Sequence, residues 1–331
     1  MKKFSKIIGI AILSLTIFSC SDDDNNNTPA QQTITDIAVA NPDFSILVTA
    51  LTRTNLAGTL DGSGQFTVFA PTNAAFNTFF TSLGAGVNVN NVNVDVLKAV
   101  LLNHVIGSEI KSTAIPAATY VSTLSPINAT PTSPTISMFV QKSGSVVTIN
   151  GGSANGGATV ITADLDASNG VIHVVGNVIA IPTLVNHVVA NPEFDTLQTV
   201  VTSTDQAAVL SALSGLTATA PATLFAPNNA AFTAALGTGG FANGATPAQV
   251  TKVLQYHVTT GGNFRSSQLT NNQVVPMFTN PVLNVTVILG TSNPVTVDIK
   301  DTQNILSRVF QADIQASNGV IHGVTKVLRP F

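Results

Sequence analysis

The chain has 331 residues, of which only 9% are charged, with 13 Lys and Arg against 16 Asp and Glu and a formal net charge of −3. Phosphate binding needs concentrated Lys and Arg, so this balance argues against nucleic acid as a partner. The single cysteine excludes disulfides within the chain. Stability must therefore come from packed cores, and the length is sufficient for two domains.

The amino terminus has the layout of a secretory signal. Three lysines within the first six residues precede an apolar stretch at residues 7–17, which is too short to span a membrane. The segment that ends in Cys20 resembles the lipobox of bacterial lipoproteins, in which the cysteine becomes the first mature residue and carries lipid. We therefore predict a signal peptide at residues 1–19 and a membrane anchor through lipid on Cys20. Cleavage at an ordinary signal-peptide site is the alternative.

Ser21, Asp22, Asp23 and Asp24 directly follow this cysteine. They resemble the acidic export signal of Bacteroidetes lipoproteins that reach the cell surface, which implies an outer-membrane protein that faces the cell exterior. Residues 20–32 contain no large apolar side chain, so they cannot offset the entropy of ordering and are predicted to form a disordered tether. Removal of the signal peptide leaves ten Lys and Arg against sixteen Asp and Glu, a net charge of −6.

Most of the remaining chain is one sequence repeated twice. The three pairs of matching segments are offset by 150, 156 and 149 residues, a period that corresponds to a domain and not to a short structural repeat. We therefore predict domain 1 at residues 33–182 and domain 2 at residues 183–331. The matching segments are residues 37–44 and 187–194, residues 67–76 and 223–232, and residues 167–173 and 316–322.

Each copy is predicted to open on a helix. Asn41 and Asn191 are each followed by a proline and an acid, which is typical of a helix N-cap and first turn. In domain 1, apolar residues recur within residues 44–51 at the spacing of one helical face. A strand is predicted next, at residues 66–69 in domain 1 and 223–225 in domain 2, and a second helix follows it.

A third helix is clearest in domain 2, where Thr246, Pro247 and Gln249 predict a capping box with proline at the first helical position. Its apolar face ends at His257, and the matching face in domain 1 ends at His104. Alternating and β-branched runs then predict strands joined by Gly, Asn and Pro turns. Helices followed by a sheet predict an α+β fold for each domain. The predicted late strands include residues 145–149, 282–289, 295–299 and 319–327.

The repeated segments resemble the fasciclin-like domain family, because its three signatures occur in order in both copies. The central Tyr-His motif is Tyr256-His257 in domain 2, whereas domain 1 has Asn103-His104. The resemblance implies that each domain is a wedge-shaped β-sandwich flanked by helices, with a history in cell adhesion and extracellular-matrix contact. The first and last signatures are Phe-Ala-Pro-Thr-Asn-Ala-Ala-Phe (69–76) and Asn-Gly-Val-Ile-His-Val-Val (169–175) in domain 1, and Phe-Ala-Pro-Asn-Asn-Ala-Ala-Phe (225–232) and Asn-Gly-Val-Ile-His-Gly-Val (318–324) in domain 2.

Four of the five histidines, His104, His173, His257 and His322, lie at equivalent positions of the two copies. Those of one domain are 69 or 65 residues apart, unlike the histidines of a local metal motif. The favoured interpretation is structural: each imidazole is buried, satisfies backbone or hydroxyl groups and fixes the core, and Tyr256 belongs to the same motif. No metal, cofactor or catalytic site is predicted, since the sequence lacks a Gly-x-Ser-x-Gly elbow and a clear acid pair.

Asp164-Leu165 and Asp313-Ile314 precede the last signature of each domain. In animal relatives an Asp-Ile pair at this place is linked to integrin binding, so these four residues are candidates for partner binding. The alternative is that each aspartate ends a strand or caps a turn. A sugar-stacking platform is not predicted, because the chain has no Trp and only two Tyr. The Gly-rich stretch at residues 151–157 lacks the Gly-Lys-Ser/Thr of a phosphate loop and is predicted to be a flexible hairpin.

The predicted function is a surface-anchored lipoprotein that binds cells, extracellular matrix or glycan and is not an enzyme. Two alternatives remain open: an accessory ligand- or glycan-binding component of an outer-membrane nutrient-uptake system, and an unrecognised hydrolase. The expected partners are the membrane, through lipid on Cys20, and an extracellular protein or glycan. Almost no linker separates Pro182 from the helix pattern that starts at Thr183, so the domains are expected to form a semi-rigid pair.

Overall fold

The computed structural model describes residues 31–62, 64–128, 130, 132–237, 245–279, 281–292 and 294–331. The predicted signal peptide, Cys20 and the acidic residues Ser21–Asp24 lie outside the described residues. Residues 32–331 form one compact unit, which contains both domains.

Domain 1 begins with a helical layer. Its helices are α1 (Ile34–Ala40), α2 (Ser45–Arg53), α3 (Ala57–Leu60), α4 (Asn73–Leu83) and α5 (Val94–Asn103). Thr33 and Asp36 form a capping box at the start of α1, each side chain accepting a hydrogen bond from the other residue's amide. Asn41, predicted to start the first helix, caps a single 3-10 turn that joins α1 to α2. The domain therefore has two short helices where the sequence indicates one.

The sheet of domain 1 is a closed barrel. Its strands are β1 (Phe66–Pro71), β2 (Val105–Ile106), β3 (Ala118–Pro126), β4 (Thr135–Ser143), β5 (Val146–Ile149), β6 (Ala158–Ala167) and β7 (Gly170–Val175), which pair in chain order. β1 and β7 run parallel and close the barrel, while the other neighbours are antiparallel. One apolar cluster packs the helices on the sheet and includes Phe44 and Leu97, and a second packs among the strands and includes Phe69 and Met138.

Domain 2 repeats this order of elements. Its helices are α6 (Leu184–Ala190), α7 (Asp195–Val201), α8 (Ala207–Ser214), α9 (Asn229–Gly237) and α10 (Pro247–Gln255). Its strands are β8 (Ala222–Pro227), β9 (Val258–Thr259), β10 (Val274–Pro276), β11 (Asn284–Leu289), β12 (Val297–Lys300), β13 (Leu306–Ala316) and β14 (Gly319–Val324). The capping box predicted at Thr246 and Gln249 is present at the start of α10. The predicted α+β class is therefore confirmed in both domains.

The two sheets differ in their closure. In domain 1, β2 pairs with β3 through Ile106 and Thr123. In domain 2 the strand order is β10-β11-β12-β13-β14-β8-β9, so among the described residues β9 and β10 are the two ends of the sheet. One backbone hydrogen bond of 2.7 Å, from the Phe278 amide to the Val258 carbonyl, spans the gap. β10 has three residues against nine in β3, which leaves fewer backbone groups for the closing pair.

The Asn-Gly of the last signature has a structural reason in both domains. Gly170 has φ +142° and Gly319 has φ +155°, and a Cβ at either glycine would lie 2.0 or 2.1 Å from a carbonyl oxygen of the parallel neighbour strand. Only glycine fits so close an approach. The preceding asparagines, Asn169 and Asn318, each accept a hydrogen bond of 2.9 Å from the first amide of the domain's opening helix.

The first signature also carries an asparagine that fixes a helix. Asn73 accepts a hydrogen bond of 2.9 Å from the Ile46 amide and donates one of 2.9 Å to the Pro42 carbonyl. Asn229 does the same in domain 2, with the Thr196 amide at 2.9 Å and the Pro192 carbonyl at 2.7 Å. The two signatures thus hold the helical layer on the sheet from both ends.

The Gly-rich stretch at residues 151–157 connects the antiparallel strands β5 and β6, as a hairpin should. It contains a 3-10 turn at Ser153–Asn155 and packs against α6 of the other domain, where a Cβ on Gly151 would lie 3.1 Å from the Ala190 Cα. The predicted hairpin is therefore present, and its loop packs against domain 2.

Across the described part of the chain, no single helix has the length and apolarity needed to cross a membrane. One pair of helical segments, Ile34–Ala40 and Pro42–Arg53, passes that test by length and composition together and is bent by 104°.

Candidate binding site

His104 and His257 occupy the same place, just after the third long helix of each domain. The Nδ1 of His104 lies 2.7 Å from the Val100 carbonyl, and its Nε2 accepts a hydrogen bond of 2.8 Å from the Ile179 amide. His257 makes the matching bonds, 2.8 Å to Val253 and 2.9 Å from Leu328. A carbonyl can only accept, so we assign the proton to Nδ1 in both rings. Each histidine thus ties its helix to the last segment of the domain.

These two imidazoles are neutral near neutral pH. Burial lowers the pKa of His104 to about 4 and the pKa of His257 to about 4. Because both ring nitrogens of each histidine are bonded to backbone groups, neither has a lone pair or a proton available for a ligand. Their geometry is that of core residues.

His173 and His322 are buried beside the sheet and use the opposite tautomer. The Nε2 of His173 lies 2.9 Å from the Ile110 carbonyl, to which it must donate, and its Nδ1 accepts from the Asp164 amide at 3.2 Å. His322 has the same arrangement, with the Phe264 carbonyl at 2.8 Å and the Asp313 amide at 3.4 Å. Burial lowers the pKa of His322. Each of these histidines fixes the loop that follows β2 or β9.

Asp164 and Asp313 lie in β-bulges, with φ of +59° at both residues. The carboxylate of Asp164 accepts hydrogen bonds from the Ser112 amide, at 2.8 Å, and from the Ser112 hydroxyl. Asp313 accepts from the amide and hydroxyl of Ser266 at 2.7 and 2.5 Å. Burial raises the pKa of Asp164, but the bonds from Ser112, aided by His173 and Lys111, outweigh it and hold that pKa below its usual value. Both aspartates therefore cap a 3-10 turn.

The apolar neighbours of these aspartates pack against the domain cores to different extents. Ile314 is 1% exposed and belongs to the core of domain 2, and Leu165 is half-buried against the core of domain 1. In each domain the two residues predicted to bind a partner are neighbours in the structure. The aspartate caps a turn, and the apolar residue packs against the core. In this conformation Ile314 offers no surface to a partner.

The turn held by Asp164 and the loop held by His173 form one wall of a cleft in domain 1. The cleft has a volume of about 310 Å³. Its floor is buried and apolar, whereas Glu109, Ala114 and Pro116 lie exposed at its rim. The described lining residues are Thr67, Phe69, Ile106, Glu109, Ile110, Ala114, Ile115, Pro116, Thr119, Val121 and Val140. This cleft is the candidate small-ligand site of the molecule.

Sequence reasoning did not find the cleft. Its lining comes from β1, from residues 106–116, and from β3 and β4, which are distant in the chain. The residues near the cleft that the sequence did single out are Asp164 and His173. They fix one wall of the cleft but are not among its described lining residues.

A second feature that the sequence left unassigned is the contact between the two domains, which we call the domain seam. The side chains of Asn155 and Asn186 bond across it, with Asn155 Nδ2 2.8 Å from the Asn186 carbonyl and Asn186 Nδ2 3.0 Å from Asn155 Oδ1. The fifth histidine, His187, is fully buried there with its ring centroid 5.5 Å from that of Tyr120. Burial lowers the pKa of His187 to about 4.

Metal binding by a cluster of side chains finds no support in the described ranges, where no group of three or more His, Cys, Asp or Glu could hold an ion.

The comparisons with known proteins agree with the signatures. The family model described as "Fasciclin domain" matches residues 42–182 and 192–330. Protein sll1483 of Synechocystis sp. is 37% identical over 158 residues, which are 47% of this chain and 77% of that protein. Protein sll1735 of the same organism is 34% identical over 147 residues, 44% of this chain and 96% of that protein.

A mammalian protein is also similar. The transforming growth factor-beta-induced protein ig-h3 of Sus scrofa is 31% identical over 159 residues, which are 48% of this chain but only 21% of that protein. Among solved structures, a FAS1 domain pair from the insect cell adhesion molecule Fasciclin I is similar with a TM-score of 0.46 and 17% identity, covering 89% of this chain and 95% of that chain. Since the domain match extends over more than half of the sequence and occurs twice, the chain belongs to the fasciclin domain family.

Proposed function

We propose that the protein is a lipid-anchored surface lipoprotein of a Bacteroidetes-type bacterium that holds an extracellular protein, matrix or glycan through its two fasciclin domains. The pair of fasciclin domains is the observation that carries this proposal. Fasciclin domains are linked to cell adhesion proteins, which supports a binding or adhesion role.

The geometry of the polar residues favours binding over catalysis. The four signature histidines use both ring nitrogens in bonds to the backbone, and the two aspartates cap turns. A general base or nucleophile needs a group that can reach a substrate. These residues instead stabilise the domains that would present a binding surface.

The lipid anchor is tested by Cys20→Ser. Lipid chains contribute about 0.8 kcal/mol per buried CH₂, and a mature chain with a net charge of −6 has no basic excess to hold it on an anionic membrane. We expect the variant to move from the membrane pellet to the soluble fraction. Retention in the pellet would refute the anchor.

Surface export is tested by replacing Ser21–Asp24 with alanines. This variant keeps Cys20, so it is also the control for loss of the anchor. We expect it to stay in the membrane fraction but to resist protease added to intact cells, because it lacks the acidic signal. Digestion at the wild-type rate would mean that the four residues are only part of a linker.

Binding itself is tested with the fragment from Gln32 to Phe331, which is one compact unit. An array of matrix proteins and glycans should give saturable binding to at least one class of extracellular partner. Hydrolysis of ester or glycoside substrates by the same fragment, without such binding, would replace this proposal by the hydrolase alternative.

A further inference from the structure

The cleft of domain 1 is large enough for a ligand. Small-molecule pockets range from roughly 300 to 1,000 Å³, and a dry apolar cavity of about 150 Å³ already binds an aromatic ring. The cleft, at about 310 Å³, has about twice the volume of such an aromatic-binding cavity. One void in the helical core of each domain measures only about 20 Å³. These voids are packing defects, and the cleft is a pocket.

The floor of the cleft favours an apolar group. Phe69, Ile106, Ile115 and Val140 are between 1% and 7% exposed, and their side chains form the bottom of the pocket. Burial of an apolar ligand surface there is favourable by about 25 cal/mol per Å². An ordered water would find few polar partners on this floor.

The polar groups at the cleft favour a hydrogen-bond donor or a cation. Glu109 is the one charged residue among the described lining residues. Its carboxylate is 3.9 Å from the Lys111 ammonium, which lies closer, at 3.0 Å, to Asp166. The hydroxyl of Thr67 donates a hydrogen bond to the Ser108 carbonyl at 2.7 Å and accepts one from the Ile110 amide at 2.8 Å. Thr119 adds a neutral hydroxyl, so the charged acceptor of the described lining is the Glu109 carboxylate.

The wall of the cleft is held in place before any ligand arrives. His173 fixes the Ile110 carbonyl, Asp164 caps the turn at Ser112, and the Lys142 ammonium donates to the Ser112 carbonyl at 2.7 Å. A preformed wall lowers the ordering cost that binding would otherwise carry.

The matching place in domain 2 is built differently. Phe264 stands where domain 1 has Ile110, and this larger ring packs against the strand core of domain 2. Asn263 stands where domain 1 has Glu109, and its amide is paired with Gln315 by bonds of 3.0 and 3.2 Å. The charged rim of the cleft is thus a feature of domain 1, and the other sizeable cavity, of about 170 Å³ between α8, α10 and Phe278 in domain 2, has no charged residue in its described lining.

We propose that the cleft of domain 1 binds a small amphiphile whose apolar body fills the floor and whose cationic amine meets Glu109 at the rim. The site is separate from the adhesion role proposed above, since it would take a small molecule and uses one domain.

The experiment is calorimetric titration of the full chain carrying Cys20→Ser, at neutral pH, with three probes of equal chain length: octylamine, octan-1-ol and octanoate. We expect saturable binding in the order amine, alcohol, carboxylate. Glu109→Gln should weaken the amine about fivefold and leave the alcohol unchanged, because it removes only the charge. Added salt should weaken only the amine.

Two further variants locate the site. Ala114→Phe places a ring at the exposed rim and should abolish binding of all three probes, whereas Asp95→Asn removes an exposed acid from α5 and should change nothing. Circular dichroism melts show that each variant is folded. The proposal is overturned if no probe binds saturably, if octanoate binds as well as octylamine, or if folded Ala114→Phe binds like the unchanged protein.

Discussion

Domain 1 and domain 2 hold their histidines alike but differ at the residue before the central one. Asn103, which is fully buried, donates to the carbonyls of Ile179 and Ala180 at 3.3 and 3.2 Å. Tyr256, equally buried, reaches β11 and the turn after β12, where its hydroxyl donates to the Asn284 carbonyl at 2.8 Å and accepts from the Thr302 amide at 3.1 Å.

The histidine and the residue before it therefore have separate structural roles, although they form one motif in the sequence. The histidine clamp forms with either neighbour, since its bonds are within 0.1 Å of each other in the two domains. The tyrosine instead ties the end of α10 to β11, next to the open end of the domain 2 sheet. Domain 1, whose barrel is closed by strand pairing, lacks that link.

The largest expected effect is on the pH dependence of stability. The folded pKa of His104, His187 and His257 is about 4, against about 6.5 for the unfolded chain, so the unfolded state binds more protons between these values. Stability is fully kept above pH 6.5 and falls as the pH is lowered toward 4, by up to roughly 3 kcal/mol per histidine.

The two domains should differ in this pH dependence, because domain 2 contains His187 and His257 whereas domain 1 contains only His104 of these three histidines. Amide hydrogen exchange read peptide by peptide at pH 7, 6 and 5, after correction for the intrinsic rate, should show a larger loss of protection in domain 2. Equal losses in both domains would mean that His187 does not stay neutral at the seam.

The next largest effect concerns the clamp itself. His104→Ala and His257→Ala each leave a cavity and two backbone groups without a partner, so each should lower the free energy of unfolding by about 2–4 kcal/mol. The sequence alone suggests a milder effect in domain 1, where Asn103 replaces the tyrosine, but the equal distances favour equal losses. Urea melts of the two variants decide between these outcomes.

A smaller effect is expected for the tyrosine. Tyr256→Phe removes two buried hydrogen bonds and should cost about 1–2 kcal/mol. Tyr120→Phe is the matched control, since its hydroxyl makes one longer bond of 3.3 Å, from Asn191, and should cost less than about 1 kcal/mol. Thermal melts that show the same loss for both variants would contradict the special role of Tyr256.

The smallest effect concerns the domain seam. We expect small-angle scattering of the fragment from Gln32 onward to give one narrow distribution of interdomain distances. Asn155→Ala removes the amide that bonds the Asn186 carbonyl and should broaden that distribution while costing less than about 1 kcal/mol. A broad distribution in the unchanged protein would contradict the expectation of a semi-rigid pair.

Much of the fold could be predicted because its signals are local. The capping box at Thr246, the helical spacing that ends at His104, and the Asn-Gly turns each depend on neighbouring residues. The family resemblance then supplied the arrangement of the sheet, which spacing alone does not give.

The cleft and the seam could not be predicted, because both arise from contacts between distant segments. Glu109 becomes notable only when β3 and β4 bring Thr119 and Val140 beside it. The pair Asp313-Ile314 is visible in the sequence, but the sequence does not give its surroundings. Only the fold reveals that the aspartate caps a turn and that the isoleucine is buried.

The way the chain enters each domain determines where mechanical tension would act. The Gln32 carbonyl accepts from the Ser168 amide at 2.9 Å, and the Pro182 carbonyl accepts from the Ser317 amide at 2.8 Å. A pull at the start of either domain is therefore passed to the Asn-Gly turn of its last strand pair before it loads the helical layer. If the protein is anchored as proposed above, a pull by a bound partner would load the sheet before the helices.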